Sequence, residues 1–258
     1  MANETSSLEG RTVLVTGASR GIGSATTRAL GAAGANVVAH YGASRQGAEE
    51  ATDGIPSERK LLLQADLTDI EAVRRLWRDA VAWRGRIEVL VNNAAVMPEC
   101  ALSAPIDDWD RSWTEALAVN VLAPASLIRD AVSHYLDFDG GVLITLSSWA
   151  AQQGSGNPHL VAYAASKAAL KAATQTVARA HAADGILAYI VSPGVVDTGM
   201  SHRSAATQGG VALVKSRLAM GDWIPPSEIA DLIAFLATGR QRHLSGATID
   251  VNGATHIR

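Results

Sequence analysis

Thr12-Val13-Leu14-Val15-Thr16-Gly17-Ala18-Ser19-Arg20-Gly21-Ile22-Gly23 starts as a short β-branched run and ends in glycines. An Ala/Leu-rich segment follows, reaching Arg28 and Leu30. The first part reads as a strand through Thr16, and the last as the entry to a helix. Glycines at such a turn let the backbone pass close to a pyrophosphate, whose charge is held at the helix N-terminus. The spacing is G-x-x-x-G-x-G, not the G-x-G-x-x-G fingerprint. On its own the turn is as consistent with a plain glycine-rich connection as with a nucleotide site.

Outward from this turn the same unit repeats. Apolar β-branched runs at 36–40, 60–64, 89–91, 141–147, 187–192 and 248–251 alternate with helical periodicity at 71–83, 109–131, 158–183 and 229–237. Short strands separated by long amphipathic helices imply βαβ units, hence a doubly wound parallel sheet with helices on both faces. Pro124 is expected to kink the 109–131 helix or to cost it one hydrogen bond. Asn157 and Pro158 are placed as N-cap and first residue of the next helix. No linker or repeat divides the series, so residues 1–258 are expected to form one domain, with 1–9 as a flexible tail. Residues 199–223 break the pattern with Gly209, Gly210 and Gly221 and few large apolar side chains. A connection this long is functional or disordered, and a mobile lid over the substrate is expected.

The bulk numbers exclude several classes. The chain has 258 residues, 48% of them hydrophobic, enough for a sizeable core. A net charge of −3 offers no footprint for nucleic acid or an anionic membrane. Residues 1–10 lack the basic and apolar regions of a secretory signal, and no run of about 18 apolar residues is present. Cys100 is the single cysteine, so no internal disulfide forms, and the seven His show no ligand spacing, so no metal site is expected. A soluble, cytoplasmic protein follows.

The end of the second strand bears on which dinucleotide would fit. An acid there would bind the ribose 2′-hydroxyl of NAD, whereas basic neighbours accept the 2′-phosphate of NADP. The run Val38-Ala39-His40-Tyr41-Gly42-Ala43-Ser44-Arg45 contains no Asp or Glu. With Arg20 in the glycine turn and Ser44 and Arg45 as donors, NADP(H) is expected over NAD(H).

At the other end of the chain lies Tyr163-Ala-Ala-Ser-Lys167, with Ser148 upstream. A phenol and an ammonium four residues apart share a helix face, one turn from each other. A unit charge at ~4 Å is worth about 4 kcal/mol at an effective dielectric of 20. That is roughly three pKa units, enough to bring a phenol of ordinary pKa near 10 toward neutrality and to suit it to proton transfer. Ser148 would stabilise charge on a carbonyl oxygen, with Ser147 its obvious rival.

Taken in order, these motifs resemble the short-chain dehydrogenase/reductase family, and in pattern its 3-oxoacyl-carrier-protein-reductase-like members. The likeness runs over residues 8–256. It rests on the 16–23 turn, Asp66-Leu67, Asn92-Asn93-Ala94-Ala95, Asn120, Ser147-Ser148, Tyr163-x-x-x-Lys167, and Pro193-Gly194 with Thr198. The resemblance implies a Rossmann-like fold and a catalytic tetrad of Asn120, Ser148, Tyr163 and Lys167. It implies a cofactor site including Gly17, Ser19, Arg20, Gly21, Ile22, Gly23, Tyr41, Ser44 and Arg45. Asp66, Leu67, Asn93, Ala94 and Ala95 would lie along the adenosine, and Pro193, Gly194, Val196 and Thr198 against the nicotinamide and pyrophosphate. Lys167 would also hold the nicotinamide ribose, and the carbonyl of Asn120 would place a water near it.

Two of these residues keep a second reading: Asp66 as a cap for a helix entered near Asp69, and Asn120 as a polar side chain satisfied inside a helix. The Ser148–Tyr163 interval is two residues longer than is common in the family, which puts Trp149 and His159, with Met97, at the substrate rim. A homotetramer or homodimer, built through the 109–131 and 158–183 helices and the last strand, is implied as well. The expected activity is hydride transfer between NADP(H) and a small-molecule carbonyl or secondary alcohol. An NADP(H)-sensing regulator without turnover, or a structural subunit, stands as the alternative.

Overall fold

A computed structural model describes residues 7–257 of the chain. Seven strands form one parallel sheet: β1 (Thr12–Val15), β2 (Asn36–Tyr41), β3 (Lys60–Gln64), β4 (Val89–Asn92), β5 (Gly141–Leu146), β6 (Ile186–Pro193) and β7 (Thr248–Val251). Their order across the sheet is β3-β2-β1-β4-β5-β6-β7. The helices are α1 (Gly21–Ala32), α2 (Arg45–Ala51), α3 (Ile70–Arg84), α4 (Ile106–Leu117), α5 (Ala123–Leu136), α6 (Ala150–Gln153), α7 (Val161–His181), α8 (Gly199–Thr207), α9 (Val211–Lys215) and α10 (Pro226–Ala237). Because successive side chains in a strand point to opposite faces, a sheet covered on both faces needs strands that are apolar throughout. Val13, Val15, Val89 and Val91 pack with α1 and α10 through Leu30, Ile229 and Ile233. The intervening Leu14, Leu90 and Leu143 pack on the other face against Leu76, Leu127 and Leu170 of α3, α5 and α7. The strand order reverses between β1 and β4, which opens a crevice at their carboxyl ends.

Several local expectations are refined. The 109–131 helix is two helices joined by a π-turn at Ala118–Leu122, with Pro124 in the first turn of α5. Pro124 has no N–H to offer the carbonyl of Asn120, four residues before, so the α-helical ladder cannot continue there. Ile106–Leu136 is apolar and long enough to cross a bilayer, but Ala116, Leu127, Ile128 and Tyr135 spend its apolar face on the core.

Helix α7 begins at Val161 rather than at Pro158. The Asn157 carboxamide accepts the His159 N–H (3.0 Å) in a local turn instead of capping the helix. Asp69 caps α3 by accepting the Glu71 N–H (2.9 Å), so Asp66 has no capping role. Residues 199–223 are not an irregular connection, because they fold into α8 and α9, with the Thr198 hydroxyl capping α8. At the amino end, residues 1–6 of the expected tail lie outside the described residues. Leu8 contradicts the rest of it: its side chain is fully buried and its N–H donates to the Ala33 carbonyl (2.7 Å).

Candidate active site

The carboxyl ends of β1, β2, β4, β5 and β6 surround a cleft of about 960 Å³. Its floor at the β1–α1 turn is made of backbone. Gly17 has φ +69°, and a Cβ on Gly23 would sit 2.1 Å from the Gly17 carbonyl oxygen and 2.5 Å from Asn93 Nδ2. Asn93 Nδ2 donates to the Thr16 carbonyl (2.7 Å), while Thr16 Oγ1 accepts the N–H groups of Asn93 and Ala94 (both 3.0 Å). The turn is thereby locked to the end of β4. Ser19, Arg20, Gly21, Ile22, Asp66, Leu67, Ala94 and Ala95 all border the cleft. The Asp66 carboxylate accepts both the N–H and the hydroxyl of Thr68, which hold its pKa below the usual carboxylate value.

His40 is the cradle residue that sequence reasoning missed. It is buried, and its Nδ1 accepts the Gly17 N–H (3.1 Å). Nδ1 is therefore unprotonated, and Nε2–H donates to the Ala65 carbonyl (3.1 Å), with burial pushing the imidazole pKa down. One neutral ring thus ties the glycine turn to the end of β3. The available signal is a polar residue that follows the apolar run Val37-Val38-Ala39 near the end of the strand. Its neighbours fare differently. Ser44 borders the cleft, but its hydroxyl accepts the Gly47 N–H at the start of α2 (3.1 Å). Tyr41 and Arg45 do not form the cleft wall, because Tyr41 is buried and Arg45 is exposed and paired with Glu49 (2.8 Å).

The chemical end gathers Ser148, Tyr163 and Lys167 on the cleft wall. Ser147 is spent elsewhere: its hydroxyl donates to the Lys167 carbonyl (3.1 Å). Ser148 hydrogen-bonds the Tyr163 phenol and accepts the Ala150 N–H (3.2 Å). Lys167 Nζ donates to the Leu146 carbonyl (2.8 Å) and lies 5.9 Å from the centre of the Tyr163 ring. The sequence pointed to a phenol brought toward neutrality by this ammonium, and the structure corrects that. Burial drives the Tyr163 pKa up, opposed only by the bond from Ser148, and burial alone lowers Lys167 to about 8. The phenol is protonated at neutral pH in this cleft.

Asn120 lies behind these groups in the π-turn and is fully buried. Its carboxamide accepts the Val96 N–H (2.9 Å) and donates to the Val96 carbonyl (2.9 Å) and to Ser166 Oγ (3.0 Å). Ser166 in turn donates to the Tyr163 carbonyl (2.7 Å). The side chain therefore fixes the start of α7 rather than facing the cleft, as a polar group satisfied inside a helix does.

The remaining wall combines Pro193, Gly194, Val196 and Thr198 with Met97 and Trp149, and with Gly154, Asn157, Met200, Ser204 and Leu218 of the rim and the 199–223 segment. His159 lies off the wall, where its carbonyl accepts the Cys100 N–H (2.9 Å). Glu99 was not foreseen. It accepts from Thr207 Oγ1 in α8 (2.9 Å) and from Asn157 Nδ2 in the rim (3.5 Å), joining two segments far apart in sequence. Among the described residues no cluster of three or more His, Cys, Asp or Glu side chains is placed to hold a metal ion.

A pyridine dinucleotide fits this donor set. The Gly17–Gly23 cradle excludes any side chain where a pyrophosphate would approach the backbone, and the cleft runs unbroken from that cradle to Tyr163.

Comparison with known proteins agrees with the geometry. Residues 17–256 match the family model described as enoyl-(acyl carrier protein) reductase. The 3beta-hydroxysteroid dehydrogenase 1 of Eggerthella lenta is 33% identical over 95% of this chain and 94% of its own length. The 3-oxoacyl-acyl-carrier-protein reductase of Escherichia coli is 30% identical over 96% of this chain and 98% of its own. A short-chain dehydrogenase of Burkholderia cenocepacia, solved in complex with NADP, superposes with a TM-score of 0.85 at 32% identity, covering 96% of this chain and 98% of that one.

Proposed function

The chain belongs to the short-chain dehydrogenase/reductase family and is an NAD(P)-dependent oxidoreductase, and from that premise we propose that it interconverts a carbonyl and a secondary alcohol with NADP(H), Tyr163 acting as general acid and base. The observation that carries this reading is the Ser148–Tyr163–Lys167 constellation, with Ser148 and Lys167 buried and Tyr163 half-buried, in one cleft with the glycine cradle. NADPH, when bound, supplies the hydride. In the reductive direction the neutral Tyr163 phenol gives its proton to the carbonyl oxygen. Ser148 Oγ donates a hydrogen bond to that oxygen as negative charge develops on it. Lys167, charged below about pH 8, faces the phenolate left behind. At 5.9 Å from the ring centre that charge attracts the forming anion without reversing the upward shift of the resting phenol. The π-turn and the Asn120–Ser166 bond hold Tyr163 in register.

Arg20 on the cleft wall and the absence of a carboxylate at the end of β2 support NADP(H) over NAD(H). Arg45, held by Glu49, does not add to that support. Residues 199–223, with α8 and α9, serve as the substrate lid. Exposed Ile106, Leu117 and Leu122 on α4 and the π-turn favour a homo-oligomer, tetramer or dimer, and a monomer mass by light scattering would refute that.

The central test is an NADPH and NADH titration by nucleotide fluorescence, followed by turnover of a carbonyl panel. Tyr163→Phe is expected to lower kcat at least 10²-fold while changing NADPH affinity less than about threefold. Saturable binding with no turnover, insensitive to Tyr163→Phe, would make the protein a cofactor sensor. Tighter binding of NADH than of NADPH would reverse the cofactor preference.

A further inference from the structure

We propose that Arg203, on α8, is a second guanidinium for the cofactor phosphates, sharing the cleft wall with Arg20 and tying the substrate lid to the dinucleotide as well. This rests on the NADP(H) reading above and adds a residue to it. Arg20 and Arg203 both border the cleft, both are exposed, and neither is ion-paired among the described residues. Side chains on a helix lean toward its amino end, and Arg203 does so. Its Nη1 lies 3.6 Å from where a Cβ of Gly199 would be, one turn earlier. That end of α8 abuts the glycine turn, since a Cβ on Gly21 would lie 3.1 Å from Thr198 Cγ2. The other end is pinned through Thr207 to Glu99 (2.9 Å). The guanidinium is thus held above the segment where the backbone is bared for a pyrophosphate.

Charge balance points the same way. The cleft wall carries Arg20, Lys167, Arg203 and Arg217 against one carboxylate, Asp66, which is turned to Thr68. An uncompensated set of cations in a cleft calls for a polyanion, and a planar guanidinium binds phosphate oxygens in pairs. Arg217 follows α9 in sequence, whereas Arg203 leans to the end of α8 that abuts the glycine turn, so Arg203 is the lid cation beside that turn.

The test is NADPH fluorescence titration of the wild type, Arg203→Gln and Arg203→Lys, with displacement by 2′-AMP, which carries the 2′-phosphate but no pyrophosphate. Arg203→Gln is expected to weaken NADPH about tenfold, and Arg203→Lys to recover part of that. Affinity for 2′-AMP should stay within about twofold, and the gap between wild type and Arg203→Gln should narrow from about 0.05 to 0.5 M salt. Unchanged NADPH affinity in Arg203→Gln, or an equal loss for 2′-AMP, would overturn the role of Arg203 while leaving the oxidoreductase reading intact. A wild type that fails to bind NADPH would overturn both.

Discussion

The two ends of the cleft are held together by different forces. At the cradle, position is set by exclusion: Gly17, Gly23 and Asn93 approach so closely that one added carbon meets backbone. At the rim, position is set by attachment. A single carboxylate, Glu99, reaches Asn157 on one side and Thr207 on the other, across more than a hundred residues of sequence. Gly156, also on the cleft wall, has nothing within 4 Å of an added Cβ. Exclusion makes a rigid seat for a constant ligand, and attachment makes an adjustable wall.

The sharpest way to break this comparison is to add the same methyl at each end. In Gly23→Ala the new carbon would lie 2.1 Å from the Gly17 carbonyl oxygen, which cannot yield without moving the turn itself. Overpacking of this kind costs about 1–3 kcal/mol and here falls on the cofactor seat. NADPH affinity should fall by about 10²-fold or more, with a clear drop in Tm. Gly156→Ala should leave both Tm and NADPH affinity within error. Equal behaviour of the two variants, by calorimetry and fluorescence titration, would remove the distinction.

The same difference decides what could be read from the chain. The strand–turn–helix at 12–23 was legible because glycine spacing records steric exclusion directly. Pro124 likewise announces the break after Leu117, because a missing N–H acts locally. The spacing leaves Ser147 and Ser148 as rivals, because the bond from the Ser147 hydroxyl to the Lys167 carbonyl is a contact no spacing rule contains. His40 escaped notice because its partners, Gly17 and Ala65, come from two other strand ends. Asn157 was placed as a helix cap since the residue type suits one, but its carboxamide closes a tighter local turn. Arg45 pairs with Glu49, one helical turn on, in a helix the sequence pattern does not mark.

A smaller effect probes the boundary between the two ends, where Lys167 stands. Burial lowers its pKa from the ordinary 10.5 to about 8, whereas Tyr163 is shifted up and so stays protonated through this range. As pH rises through about 8 the ammonium loses its proton, and with it the charge that steadies the phenolate formed during reduction. The value of kcat/KM for NADPH, which reports the cofactor-free enzyme, should therefore decline above about pH 8, approaching tenfold per unit. A profile flat to about pH 9.5 would show that Lys167 acts without its charge. The rim would then differ from the cradle only in shape.

The smallest effect belongs to the attachment itself. Glu99→Ala removes the acceptor shared by Thr207 and Asn157 but touches neither the cradle nor the Ser148–Tyr163 pair. Each hydrogen bond contributes about 0.5–1.5 kcal/mol net; Thr207 is exposed, where water replaces part of the loss, whereas Asn157 is buried and has only the longer 3.5 Å contact to lose. The fold should survive with Tm little changed. The 199–223 segment should detach from the rim more often, so limited proteolysis within it should accelerate. KM for the carbonyl should rise a few-fold, and kcat should change less, because Tyr163 is still fixed by Ser166 and Asn120. Glu99→Gln, which keeps one acceptor, should fall between. A loss of kcat in Glu99→Ala as large as that in Tyr163→Phe would mean that the rim positions the reacting groups, and that attachment at this end is as exacting as exclusion at the other.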